Sequence, residues 1–152
     1  MSGRSVHVTI TGLVQGVGYR AWVADEARAK GIEVVVEGIE GIHGYVDPDQ
    51  LQQVLLNLVL NALDAMPLGG TLRVSVEGSE QPRGAWVRLA DTGMGIPADD
   101  MEHLFEPFRS TKTEGLGLGL FICHNIVANH GGRIEVQSQE GEGTEVRVWL
   151  PA

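Results

Sequence analysis

Apolar and polar residues alternate over residues 6–14 (VHVTITGLV), the period of a half-buried strand. Gly12, Gly16 and Gly18 surround the turn that follows, and Tyr19–Lys30 has a helical pattern that ends at Gly31. The β-branched run Ile32–Glu37 predicts a second strand, Gly38–Gly44 a loop, and Tyr45-Val46 a brief strand. Asp47-Pro48-Asp49-Gln50 has the makings of a helix start. Asp47 can cap the free amides, Pro48 suits the first helical position, and Gln50 completes a capping box. That helix is expected to run to about Met66, before Pro67 and Gly69-Gly70. Leu72/Val74/Val76 and Ala85/Val87/Leu89 read as two alternating strands, and Pro97–Phe105 as a short helix. Glu106–Leu116 is irregular and polar, Gly117–His130 is a second long helix, and Arg133–Ser138 with Thr144–Leu150 forms a closing hairpin around Gly141-Glu-Gly143.

The central helix carries more than a core-facing stripe. At about 100° per residue, Leu55, Leu58, Val59, Ala62 and Met66 fall on one side, and Gln53, Asn57, Asn61 and Asp64 gather within roughly 80° on the other. One reading is a solvated face, but such a face normally uses Lys and Glu, and this one has neither. Asparagine is a poor helix former whose amide needs partners where it is buried. Asn57 and Asn61, one turn apart, offer neutral oxygens suited to a hydrated Mg²⁺ that keeps water and phosphate as its other ligands.

Composition narrows the classes of function. Of 152 residues, 43% are hydrophobic and 20% charged, a globular balance, and no apolar stretch is long enough for a membrane helix. The net charge of −9 argues against general nucleic-acid binding. The single cysteine, Cys123, excludes an internal disulfide and a cysteine-rich zinc site. The opening Met1-Ser-Gly-Arg has no apolar signal core, so the expected compartment is the cytoplasm. The charge is uneven along the chain. Arg4, Arg20, Arg28 and Lys30 against Asp25 and Glu26 give residues 1–32 a net +2, which leaves −11 on residues 33–152.

About a third of the 21 glycines fall in three clusters that could hold a ligand. Asp91-Thr-Gly-Met-Gly-Ile-Pro97 follows a strand directly. Asp91 would end that strand as a carboxylate able to accept from an exocyclic amine, with Gly93 and Gly95 allowing a tight turn against the ligand. Gly115-Leu-Gly-Leu-Gly-Leu120 precedes the last helix and can aim amides at phosphate, aided by the helix dipole. It is neither a Walker loop nor a Rossmann fingerprint. Gln15-Gly-Val-Gly-Tyr-Arg20 joins strand to helix and could cradle phosphate with its amides and a guanidinium. Each cluster taken alone can also be an ordinary turn.

Taken in order, these motifs resemble the ATP-binding catalytic domain of sensor histidine kinases, within the superfamily that includes gyrase, Hsp90 and MutL. QVLLNLVLNALDAM (Gln53–Met66) is similar to the N box, DTGMGIP (Asp91–Pro97) to the G1 box, LFEPFRSTK (Leu104–Lys112) to the F box and GLGLGL (Gly115–Leu120) to the G2 box. The resemblance spans residues ~33–152. It implies an α/β (α+β) two-layer sandwich, a mixed, mostly antiparallel sheet covered on one face by about three helices, with an N-terminal βα unit joined to it. It also implies ATP and Mg²⁺. Asp91 would bind the adenine amine with Thr144 assisting, and Asn61 would coordinate Mg²⁺ with Asn57 close to the phosphates. Gly93, Gly95 and Ile96 would floor the adenine site, and Gly115, Gly117, Leu118 and Gly119 would line the phosphate side. Lys112 would reach the γ-phosphate, and residues ~98–116 would form a lid. The phosphoacceptor histidine would lie on a dimerisation domain outside this chain, with a response regulator as the next partner. His7, His43, His103, His124 and His130 lie in no such context.

Residues ~6–32 resemble a different family. GLVQGVGYRAWVADEARAKGI is similar to the signature of acylphosphatases, in which the arginine, here Arg20, binds the acyl-phosphate group, so Gln15, Gly16, Val17, Gly18, Tyr19 and Arg20 form an alternative phosphate loop. The asparagine that family uses to orient water has no counterpart in IEVVVEGIEG. The expected division is therefore a 1–32 acylphosphatase-like segment and a 33–152 catalytic domain. A strand and a helix cannot bury a core alone, so Val6–Val14 is expected to pair with the larger sheet, or the helix to cover part of it. Besides ATP binding, the alternatives are acyl-phosphate hydrolysis at Gln15–Arg20 and an engineered fold chimera with no retained activity.

Overall fold

The computed structural model describes residues 6–9, 27, 29–38, 43–106 and 119–151. Seven strands and three helices are formed among them, in the order β1 (Val6–Thr9), β2 (Ile32–Gly38), β3 (His43–Val46), α1 (Pro48–Asp64), β4 (Gly70–Glu80), β5 (Arg83–Asp91), α2 (Ala98–Met101), α3 (Gly119–Asn129), β6 (Arg133–Gln139) and β7 (Gly143–Pro151). Five strands make one mixed sheet in the order β2-β4-β5-β7-β6, in which β2 and β4 are parallel and the other pairs antiparallel. A parallel pair needs a long crossover, supplied here by β3 and α1.

Binary patterning fixes the two faces of the sheet. Leu72, Val74 and Val76 on β4, Ala85, Val87 and Leu89 on β5, and Val148 and Leu150 on β7 are all buried. Against them packs one side of α1, with Leu51, Val54, Leu55, Leu58, Val59, Ala62 and Leu63, joined by Met66 just beyond it. Cys123 and Val127 of α3 complete the layer, and Ala27 and Ile32 belong to the same cluster. Each such aliphatic side chain contributes roughly 1.5–3 kcal/mol when fully buried, so this seam holds the sandwich together. The intervening positions form an open face. There Trp86 lies opposite Trp149, with the Arg133 guanidinium 5.6 Å and 5.7 Å from the two rings. Arg147 pairs with Glu135 at 2.7 Å, and Arg88 with Glu145 at 3.2 Å.

Two local expectations need correction. Of the two placements expected for the N-terminal unit, the strand does not join the main sheet; β1 pairs antiparallel with β3 in a separate two-stranded sheet, Val6 opposite Val46 and Thr9 opposite His43, whereas Ala27 of the expected helix is buried in the main core cluster. The strand β3 leads into α1 and also approaches β5 and β7. Residues 10–14 of the expected strand and most of the Tyr19–Lys30 helix lie outside the described residues. At the start of α1 the Asp47 carboxylate caps as predicted, accepting from Asp49 N–H at 3.0 Å and Gln50 N–H at 3.3 Å. The reciprocal half of the capping box is taken by another element. Asp47 N–H donates to His130 Nε2 at 3.1 Å, while His130 Nδ1 meets the carbonyl of Ile126 at 2.7 Å. A neutral imidazole with its proton on Nδ1 satisfies both contacts, so His130 ties the end of α3 to the beginning of α1.

Candidate nucleotide-binding site

Three motifs far apart in the chain converge at one end of the sandwich. The helix α1 ends at Asp64, with Ala65 as its C-cap. Helix C-termini leave carbonyls without intrahelical partners, and that of Ala65 accepts Met94 N–H at 2.9 Å. The loop after β5 is thereby held against the helix end. Its other side is held by the β6–β7 hairpin, with Gly141 N–H donating to Met94 O at 2.7 Å and Ile96 N–H to Ser138 Oγ at 2.8 Å. Thr92 anchors the root of the loop to β4 by two bonds with the Thr71 backbone. This explains the glycines in the motif. A Cβ on Gly93 would come 2.4 Å from Ala65 O, and Gly95, at φ +74°, would meet Gln139 O at 2.2 Å.

Asp91 closes β5 on the helix-facing side of the sheet. One of its oxygens accepts Gly93 N–H at 2.9 Å. Burial raises its pKa, and hydrogen bonds from the Gly93 and Thr144 amides only partly offset that. Asp91 lies opposite Thr144 on β7, and Thr144 opposite Ser138 on β6, so the three make a polar row where Leu89, Val146 and Val136 form the preceding apolar one. An open cleft of about 380 Å³ at the rim of the sheet is lined by Ala90, Asp91, residues 137–139 and residues 142–145, and its lining does not include Asn57, Asn61, Gly93, Gly95 or Ile96.

The polar stripe on α1 divides in two. Gln53 and Asp64 are exposed, as a solvated face would be, whereas Asn57 and Asn61 are half-buried. Beside Asn57 the buried Cys123 thiol donates to the Val54 carbonyl at 3.7 Å, and burial pushes its pKa up to about 11, with the asparagine opposing that only in part. Asn61 has its amide nitrogen 3.8 Å from where a Cβ on Gly119 would stand. Both asparagines therefore face the beginning of α3, the helix that the glycine-rich motif introduces. No group of three or more His, Cys, Asp or Glu gathers among the described residues. The neutral oxygens of this stripe suit a Mg²⁺ that takes most of its ligands from phosphate and water. Of the residues expected at the site, Asp91, Gly93, Gly95, Ile96, Thr144, Asn57, Asn61 and Gly119 are thus placed at this end. Lys112, Gly115, Gly117 and Leu118 lie outside the described residues, as do Gln15, Gly16, Val17, Gly18, Tyr19 and Arg20. Of the expected lid, residues 98–106 are described, and Phe105 rests on the His124 ring of α3 at 5.0 Å. Ser138 was not anticipated, although a hairpin centred on Gly141 puts it directly across from Thr144.

The family of histidine kinase-, DNA gyrase B-, and HSP90-like ATPases matches residues 46–152, more than half of the chain. The chain belongs to that family. Among curated relatives, the sensor histidine kinase ZraS of Escherichia coli K12 is 50% identical over 105 residues, 69% of this chain and 22% of ZraS. Sporulation kinase E of Bacillus subtilis is 36% identical over 127 residues, 83% of this chain and 17% of that kinase. The chain thus spans about a fifth of these relatives' length. Among solved structures, the catalytic domain of histidine kinase ThkA aligns with a TM-score of 0.84 at 28% identity, covering 99% of this chain and 96% of that one. Full-length ShkA in complex with AMPPNP aligns with the same score and identity over 99% of this chain and 32% of its own. The acylphosphatase family also matches, over residues 6–80, farther along the chain than the first 32 residues that resemble its signature. Among the described residues, no helix is long and apolar enough to cross a membrane.

The ATPase-type glycines separate by what they touch. Gly93→Ala should lower stability by about 1–3 kcal/mol in urea melts, because the new methyl has backbone on its far side. Gly119→Ala meets nothing closer than 3.8 Å among the described residues, and should stay within about 0.5 kcal/mol of the parent. Equal losses at both positions would contradict the described loop packing.

Asp91 also predicts a pH signature. Its folded pKa lies above its unfolded one, so the folded state holds more proton between the two values and stability falls as pH rises through that window. Asp91→Asn should therefore raise the melting temperature at pH 7 and lose that advantage in acid. A variant less stable than the parent at pH 7 would show that the carboxylate is not under this strain.

Proposed function

We propose that this chain binds Mg²⁺·ATP as the catalytic domain of a two-component sensor histidine kinase, and that the γ-phosphoryl group passes to a histidine on a dimerisation domain not contained in these 152 residues. The observation that carries the reading is the meeting, at one end of the fold, of the Asp91 loop, the Asn57/Asn61 stripe and the start of α3, joined through the Ala65–Met94 hydrogen bond. These are the parts that nucleotide chemistry needs, namely an acceptor for an exocyclic amine, neutral oxygens for a hydrated metal and a helix start for phosphates. Support also comes from ShkA, whose structure contains AMPPNP.

In this reading the Asp91 carboxylate accepts from the adenine amine, and Gly93, Gly95 and Ile96 floor the base. Asn61 holds Mg²⁺, which supplies charge neutralisation at the phosphates, and Asn57 stands beside it. The nearby Cys123 thiol stays protonated at neutral pH and so presents no competing charge beside Asn57. Gly115, Gly117, Leu118 and Gly119 receive the phosphates, and Lys112 reaches the γ-phosphate. Phosphoryl transfer asks chiefly for positioning and charge neutralisation, and without an acceptor domain the expected activity is binding with slow hydrolysis at most. A response regulator is the expected downstream partner, the cytoplasm the expected compartment, and residues 1–32 a βα segment of acylphosphatase type built onto the 33–152 domain.

Isothermal titration with Mg²⁺ and AMPPNP tests this. Saturable binding should depend on Mg²⁺, and Asn61→Ala and Asp91→Asn should each weaken it at least about tenfold, the scale of a lost hydrogen bond to a charged group. Absence of heat with the parent chain, or unchanged affinity in both variants, would refute it.

The match to acylphosphatases over residues 6–80 supports a second reading, acyl-phosphate hydrolysis at Gln15–Arg20. Benzoyl phosphate should then be hydrolysed by the parent chain and not by Arg20→Ala. Without parent activity this reading fails, and a chimera without that activity stands in its place.

A further inference from the structure

The helices α1 and α3 run antiparallel, and their contacts fall in one register. Gly119, at the start of α3, stands against Asn61, whose amide nitrogen is 3.8 Å from the place of a Cβ there. One turn on, Cys123 Sγ reaches the Val54 carbonyl at 3.7 Å. Just past the end of α3, His130 Nε2 accepts the Asp47 N–H at 3.1 Å. The last of these contacts has the most directional force, because a thiol is a weak donor and glycine has no side chain to interlock. The apolar seam of α3 is thin, with Cys123 and Val127 buried and Leu120 and Ile126 partly so. Burial is non-directional, so such a seam holds two helices together without choosing their axial register.

The imidazole is fixed at both nitrogens. Nδ1 lies 2.7 Å from the Ile126 carbonyl, which sets the ring and leaves the Nε2 lone pair for Asp47. Asp47 is buried, and its carboxylate is engaged by the amides of Asp49 and Gln50. Gly132 meanwhile seats the end of α3 on the sheet, where a Cβ would come 2.1 Å from Trp149 O. The sheet thus fixes where α3 stops, and His130 fixes where α1 starts relative to that point.

We propose that His130 is a positioning residue for the phosphate side of the nucleotide site, acting by setting the register of α3 against α1. At ~1.5 Å per residue, the 11 residues of α3 put it about 16 Å from the start of that helix. The inference rests on the nucleotide-binding reading and deepens it, by dividing the site into two halves held by different ties. The base half, Asp91 with Gly93 and Ile96, is held by the Met94 junction between the C-cap of α1 and the β6–β7 hairpin. The phosphate half, Asn61 with Gly119, depends on the register of α1 and α3.

Titration of the full chain with Mg²⁺·AMPPNP and with adenosine, followed by amide-resolved NMR, tests this. Asn in place of His130 reaches as far as Nδ1 and falls short of Asp47, whereas the Gln amide reaches the place of Nε2 and can accept there. His130→Ala and His130→Asn should each weaken Mg²⁺·AMPPNP about tenfold, the scale of a misplaced hydrogen bond to a charged group, and leave adenosine within about twofold. His130→Gln should recover most of the loss. Before ligand is added, the Gly119 amide and the Asn61 side-chain amide should shift in the Ala and Asn variants, while the amides of Gly93 and Met94 stay in place. Equal weakening of both ligands, no difference between Asn and Gln, or unmoved Gly119 and Asn61 signals would each overturn the proposal. If His130→Ala does not fold, the Asn and Gln variants carry the same comparison. A parent chain that binds neither ligand refutes the nucleotide reading, and the ligand-free shifts then still decide whether His130 sets the helix register.

Discussion

A single residue, Met94, holds the functional end of this protein together, and it does so through its backbone. Its N–H satisfies the carbonyl that ends α1, and its own carbonyl accepts the amide of Gly141 at the tip of the β6–β7 hairpin. The helical layer and the sheet layer are thus joined by the polar groups of one loop residue, whose side chain remains exposed. The glycines beside it follow from that arrangement, since Gly93 sits against Ala65 and Gly95 against Gln139 with no space for a side chain. Asp91 is two residues before the first of them, so its position at the sheet end is fixed by the same junction.

This geometry gives the family's glycine motif a second meaning. Its spacing is commonly read as room for a ligand, but Gly93 and Gly95 are needed first for the protein to pack on itself. Gly119 is different, because among the described residues a side-chain carbon there would meet only the Asn61 amide, at an ordinary contact distance of 3.8 Å. The polar row Asp91–Thr144–Ser138 completes the picture. It interrupts an otherwise apolar inner face, and burial already disfavours the charge on Asp91. A fold that keeps an ionised carboxylate there gives up some stability, a pattern typical of sites held ready for a partner.

Much of this was legible from residue order. The α1 boundaries follow from Asp47-Pro48 and Pro67, and the alternation of Leu72 to Val76 and of Ala85 to Leu89 gave the correct inward face of both strands. Asn57 and Asn61 stood out because a solvated stripe normally uses Lys and Glu, and Asp91 because a strand ended on it. What escaped was long-range. Nothing local says that His130 would take the amide of Asp47, a separation of 83 residues, or that the Cys123 thiol would donate to the carbonyl of Val54. The pairing of β1 with β3 escaped for the same reason, because pairing is decided by what the neighbouring elements leave open and not by alternation. Ser138 was the one omission with a local signal, since symmetry about Gly141 sets it opposite Thr144.

The central claim is that a Mg²⁺-bound adenine nucleotide occupies the space between the Asp91 loop and the Asn61 face of α1. An amide-resolved NMR titration with Mg²⁺ and AMPPNP tests it most directly. The account predicts the largest shifts at Gly93, Ile96, Thr144 and the side-chain amide of Asn61, with the Trp86 and Trp149 indoles on the open face of the sheet unmoved. Shifts centred on those indoles, or none at Gly93 and Asn61 at saturating ligand, would contradict it.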